Sequence, residues 1–136
     1  MSHIADQVAE AIAEGRLGPR LWLYSNYHCN LACSYCLTES APGVARRELP
    51  ADAMRRAVAE AADLGFRGVG ITGGEPCLRR DLPALAAELS ETLPVLVLTN
   101  ATLFAGDRFG RLDPLRGRDV PLQISLDAAT PLANDP

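Results

Sequence analysis

The sequence contains no apolar run approaching the roughly 18 residues that a membrane span requires. Met1 to Gly15 lacks the basic-then-apolar layout of a secretory signal. Basic charge is not in excess either: 13 Lys+Arg against 17 Asp+Glu leave a net charge of −4. That balance argues against a nucleic-acid backbone or an anionic membrane as partner. Repeats, low-complexity tracts and an interdomain linker are all missing. These absences leave an ordinary globular chain, 48% hydrophobic and 22% charged, expected in the cytoplasm. Its 136 residues fit one domain, able to bury about two-thirds of the unfolded surface.

Cysteine is scarce, at 4 residues, but unevenly placed. Cys29, Cys33 and Cys36 crowd into one short stretch, and Cys77 stands far downstream. An even count is compatible with two disulfides. Crowding of this kind in a chain without a signal points instead to a metal site.

The elements alternate. His3 to Glu14 has Ile4, Val8, Ala11 and Ile12 at helical spacing, closed by Gly15 and Pro19. Leu21 to Ser25 reads as a first strand carrying Trp22 and Tyr24, which face either the core or a substrate cavity. Pro50 opens a helix with an apolar stripe of Met54, Ala57, Val58, Ala61 and Leu64, ending at Gly65. Val69 to Thr72 forms a second strand, and Asp81 is the expected N-cap of a helix running through Leu93 with Pro83 in its first turn. Val95 to Thr99 is continuously apolar, as expected of a strand covered on both faces. Phe104 to Arg118 reads as a loop with a short helix, and Leu122 to Leu126 as a fourth strand.

This order predicts an α/β fold of parallel strands joined by right-handed crossovers. Four strands cannot close a barrel, and the chain stops where another helix is due. The expectation is therefore an incomplete, truncated core.

The chemistry lies in Cys29-Asn30-Leu31-Ala32-Cys33-Ser34-Tyr35-Cys36, a C-x₃-C-x₂-C run. Thiolates are the usual ligands of iron–sulfur clusters, which commonly take four. Three on one loop leave an iron open, as a catalytic metal site requires. Zinc completed by His28 or Cys77 stays open as an alternative, because soft thiolates suit both metals.

That run resembles the signature of the radical S-adenosylmethionine (SAM) superfamily, C-x₃-C-x-Φ-C, with Tyr35 at its aromatic position. Gly73-Gly74-Glu75-Pro76, after the second strand, resembles the family's GGE motif. The resemblance runs from about Arg20 to Pro136, with residues 1–19 as a helical extension before a core domain, 20–136, that is incomplete at its C-terminus. It implies a parallel-stranded partial TIM-type (β/α) barrel, with about four of the family's six strands present.

The resemblance further implies a [4Fe-4S] cluster on Cys29, Cys33 and Cys36, and SAM chelating the open iron. An electron donor such as flavodoxin or ferredoxin would feed the cluster. Reductive cleavage would then yield methionine and a 5′-deoxyadenosyl radical. Gly73 and Gly74 would let the backbone approach the methionyl ammonium, with Glu75 beside that cation and Pro76 stiffening the turn. Tyr35 matches a position near adenine, although an isolated aromatic is equally a packing residue.

Asn100, Ser125 and Asp127 resemble polar positions at the ends of strands three and four, and could equally cap loops. Two departures stand out: Ala101 follows Thr99-Asn100, and Ala128 follows Asp127, where glycine is common. Cys77 stands where the family places an aliphatic residue, so packing is favoured over ligation. His28 reads as a loop residue. The general look is nearest the branch containing the molybdenum-cofactor cyclase and peptide-maturing enzymes, which implies a peptide, small-molecule or cofactor-precursor substrate. A truncated, non-catalytic iron–sulfur or zinc remnant needing a partner is the alternative.

Overall fold

The computed structural model describes residues 2–130. Four strands, β1 (Arg20–Tyr24), β2 (Gly68–Thr72), β3 (Val95–Thr99) and β4 (Leu122–Ile124), form one sheet in sequence order. Every neighbouring pair is parallel, with Trp22 opposite Gly70, Ile71 opposite Val97 and Thr99 opposite Ile124. The helices are α1 (Ser2–Ala13), α2 (Ala51–Asp63) and α3 (Leu82–Leu89). This is the expected α/β architecture, a partial TIM-type barrel.

One face of the sheet carries the core. Leu23, Val69, Ile71, Val95 and Val97 pack against Met54, Val58 and Ala61 of α2 and Leu82, Leu85 and Leu89 of α3. The spacing of the α2 residues puts them on one stripe. Helix α2 stops where Gly65 takes φ +91, letting Phe66 N donate back to Ala61 O at 2.9 Å.

The other face is open among the described residues. Trp22 and Tyr24 are 43% and 46% exposed, so the choice left by the sequence falls against the core. Val95–Thr99, expected to be covered on both faces, instead alternates between buried and half-buried positions. Leu96 and Leu98 carry the half-covered side.

Several details differ from the sequence expectation. Helix α3 ends at Leu89, before Leu93, and Ser90 Oγ donates to Ala87 O at 2.6 Å, competing with continuation of the helix. Asp81 holds the N-cap position without capping, because its carboxylate is taken by Arg79. Strand β4 ends at Ile124 rather than Leu126, after which Ser125 N still donates to Thr99 O at 3.0 Å. Between β3 and β4, Gly106–Leu115 is a run of 3₁₀ turns with no buried residue, which explains its weak periodicity in the sequence.

Candidate metal centre

Parallel strands that all point one way deliver their following loops to one rim. The cysteine loop follows β1, Gly73-Gly74-Glu75-Pro76 follows β2, Asn100 follows β3, and Ser125 and Asp127 follow β4. A cleft of about 250 Å³ forms there, lined by Cys29, Cys33, Tyr35, Cys36, Gly73, Gly74, Asn100, Ser125 and Asp127. Glu75 and Pro76 lie outside its lining and are buried, and Cys77, His28, Trp22 and Tyr24 lie outside it too. A larger hollow of about 930 Å³ lies at the opposite end of the strands, around Leu17–Trp22 and Phe66–Gly68. It contains no thiol or carboxylate, so the chemistry belongs to the smaller cleft.

The three thiols differ in setting. Cys33 is exposed, and Cys29 and Cys36 are half-buried. Burial pushes the Cys29 thiol up, partly opposed by a hydrogen bond from Leu31 N at 3.4 Å. The Thr38 hydroxyl, 3.3 Å from Cys36 Sγ, holds that thiol below the usual range. Asn100 Nδ2 lies 3.8 Å from Cys29 Sγ, a weak donor to sulfur. Cys77 sits apart in the core, where burial pushes its thiol up to about 12. It packs, as its burial tendency suggested.

Among the described residues, no three His, Cys, Asp or Glu side chains are gathered closely enough to hold a single ion. A zinc ion needs its thiolates drawn to about 2.3 Å from one point. Three thiols lining one cleft are a donor set of the kind that iron–sulfur clusters use.

Glu75 is 1% exposed and is turned inward. Its Oε1 accepts from Cys77 N at 3.0 Å and from the Thr99 hydroxyl at 2.7 Å, and its Oε2 accepts from Asn100 N at 2.7 Å. The carboxylate clamps the end of β2 to the end of β3. These bonds fix the carboxylate at the rim, directly behind the cleft.

The glycines also serve the protein itself. A Cβ on Gly73, whose φ is +147, would come within 2.3 Å of Asn26 O; one on Gly74 would reach 2.1 Å from His28 O. Their lack of a side chain lets the β2 loop lie directly on the β1 loop, where Gly74 N donates to Asn26 O and Glu75 N to His28 O. Asn26, 1% exposed, completes the splice by donating to His28 O and Glu75 O. Sequence reasoning missed Asn26, Thr38 and Ser40, and gave Thr99 no role beyond ending β3; their partners lie in distant or irregular segments. The one available signal was the polar density around the cysteine run.

The other assigned residues join loops. Tyr35 Oη donates to Asp127 Oδ2, linking the cysteine loop to the end of β4. Asn100 Oδ1 accepts from Thr102 N and lies 2.8 Å from its hydroxyl, while Asn100 Nδ2 donates to Asn30 Oδ1 at 3.1 Å. Ala101 takes φ +60, so the missing glycine leaves the turn in place at the cost of a left-handed alanine. His28, read as a loop residue, is 4% exposed, and neither ring nitrogen has a hydrogen-bond partner among the described residues.

A parallel four-stranded sheet with three thiols at the mouth of its strands defines an α/β protein with a candidate metal site. The chain belongs to the radical SAM superfamily, which it matches over residues 23–135. It is 42% identical over 65 residues to a GTP 3′,8-cyclase of Tolumonas auensis, covering 47% of this chain and 19% of that one. A PqqA peptide cyclase of Xanthomonas euvesicatoria pv. vesicatoria is 41% identical over 61 residues, covering 45% and 16%. The crystal structure of Streptococcus suis SuiB bound to S-adenosylmethionine superposes with a TM-score of 0.69 at 23% identity, covering 95% of this chain and 30% of that one. The chain thus spans about a fifth of these curated relatives and less than a third of that structure. No helix among the described residues is long and apolar enough to cross a membrane.

Proposed function

We propose that this chain is the cluster-bearing part of a radical SAM enzyme acting on a peptide or on a small-molecule or cofactor precursor. The observation that carries this reading is the placement of Cys29, Cys33 and Cys36 along one cleft, facing the Gly73-Gly74 backbone. Those three residues would hold a [4Fe-4S] cluster with one iron left to SAM. When bound, the two cofactors supply reductive cleavage of SAM to methionine and a 5′-deoxyadenosyl radical.

The chain's own residues do the rest. Asn100 Nδ2, beside Cys29 Sγ, stabilises negative charge on that sulfur, which tunes a cluster's potential. Gly73 and Gly74 present backbone to SAM because Glu75, Pro76 and Asn26 hold that backbone in place. Tyr35, Ser125 and Asp127 bound the side of the cleft where the nucleoside would lie. Residues 20–136 form the core in this reading, and residues 1–19 are an appended helix.

The relatives' names, GTP 3′,8-cyclase and PqqA peptide cyclase, support a nucleotide or peptide substrate without choosing between them. Trp22 and Tyr24, exposed on the open sheet face, are the side chains available to meet it.

The test is anaerobic reconstitution with iron and sulfide, reduction, and EPR with and without SAM. A reduced-cubane signal that changes on adding SAM is expected. A chain that binds stoichiometric zinc and assembles no cluster overturns the reading.

A further inference from the structure

A second polar hollow, of about 380 Å³, opens on the flank behind the cysteine loop. It is lined by Arg46, Glu48, Arg79, Arg80, Arg108 and Arg111, contributed by the segments after β1, β2 and β3. Arg79 is committed inward: its guanidinium donates to Ser25 O, Leu49 O and the Asp81 carboxylate. Arg46, Arg80, Arg108 and Arg111 have no carboxylate partner among the described residues, and Glu48 is the only acid in the lining. Four unpaired guanidinium groups around one hollow, in a chain of net charge −4, amount to a marked separation of charge. Such a concentration focuses the local field and attracts anions.

Its position identifies which anion. The hollow shares no lining residue with the cysteine cleft. The cleft opens beside Thr72 and Leu98 on the uncovered side of the sheet, whereas Leu78 and Leu103 of the hollow belong to the packed side. A molecule held in the hollow therefore lies on the other side of the cysteine loop's base from the residues that line the cleft. Contact between the two is indirect but short. Glu48 lines the hollow, the buried His28 ring lies 3.8 Å from it, and the next residue, Cys29, lines the cleft. Electrons cross packed protein over short gaps without contact between donor and acceptor, and substrates do not.

We propose that this arginine-lined hollow docks the acidic face of a one-electron carrier protein, which reduces the cysteine-bound cluster from behind the loop. The inference rests on the function proposed above and names its reductant surface. The carrier loses one electron and the cluster gains that one; no bond forms or breaks, and no proton has to move. A small, charged, transient interface suits such an encounter, which must release its partner after each transfer.

The test uses the 136-residue chain, an acidic [2Fe–2S] ferredoxin as probe, and the double variant R108E/R111E, both positions being exposed. Binding is titrated at low and high salt before any cluster is installed, so the result does not depend on cluster assembly. Wild type should bind with an affinity that falls steeply with salt, and the double variant should bind at least about tenfold more weakly. In the reconstituted protein, ferredoxin should reduce the variant's cluster about tenfold more slowly, with dithionite reduction unchanged. No binding by wild type, equal binding by the variant, or equal slowing with dithionite overturns the proposal. Salt-sensitive binding of inorganic pyrophosphate, lost in the variant while ferredoxin binding persists, overturns it in favour of a small phosphate ligand. Failure to assemble a cluster while the ferredoxin titration succeeds counts against the proposed function and leaves the docking surface standing.

Discussion

The Glu75 carboxylate accepts the Thr99 hydroxyl at 2.7 Å through one oxygen and the Asn100 amide at 2.7 Å through the other. Two loops that border the cleft are thus tied by one buried side chain. Both bonds run from the acid after β2 to the end of β3, so the rim is braced across strands. The cleft's shape depends on that brace as much as on the residues lining it.

Replacing Glu75 with glutamine keeps the volume but turns an NH₂ toward at least one of the donors Cys77 N, Thr99 Oγ1 and Asn100 N. A buried donor left unsatisfied costs about 1–3 kcal/mol. Urea unfolding of E75Q should show a midpoint lowered accordingly, with iron incorporation reduced alongside it. An unchanged midpoint would mean that the clamp is not formed in solution.

Ala101 adopts φ +60, a conformation that costs a non-glycine residue about 1 kcal/mol. Ala101→Gly should therefore stabilise the chain, by somewhat less than that, because glycine loses more freedom on folding. Gly74→Ala should act oppositely, since its Cβ would sit 2.1 Å from His28 O, and should cost about 2 kcal/mol or more. Thermal unfolding of the two variants checks both signs. Equal melting temperatures would refute the loop geometry.

The thiols should titrate in a set order in the metal-free chain. Alkylation follows the thiolate, so a lowered pKa moves the rise in rate to lower pH and a raised one moves it higher. Cys36, lowered by Thr38, should gain reactivity before Cys29, which burial raises. Cys77, pushed up to about 12 in the core, should stay unmodified until the chain unfolds. Thr38→Val should shift the Cys36 profile to higher pH and leave Cys29 alone. Residue-resolved mass spectrometry after iodoacetamide labelling at several pH values reads all of these. Early labelling of Cys77 would place it outside the core.

What the sequence by itself determined was local. The spacing of Cys29, Cys33 and Cys36, the apolar stripe of α2 and the alternation of helix and strand each depend on residues close in the chain. Such features pointed to a parallel α/β sheet with a thiol site at the mouth of its strands. Even there, local competition moved the boundaries: Ser90 accompanies the early end of α3, and Arg79 removes Asp81 from capping.

What only the tertiary structure decided depends on segments far apart in sequence. Glu75 takes hydrogen bonds from Thr99 and Asn100, which arrive from another strand. Gly73 and Gly74 also admit the carbonyls of Asn26 and His28, a contact between two loops far apart in sequence. The arginines behind the loop come from three separate segments and gather only in the folded chain. Pattern reports which residues share a face of one element; it carries no information on which loop will fill the space beside a glycine or complete the bonds of a carboxylate. Those outcomes are set by crossovers that bring three strand ends to one rim, and they exist only once the sheet has formed.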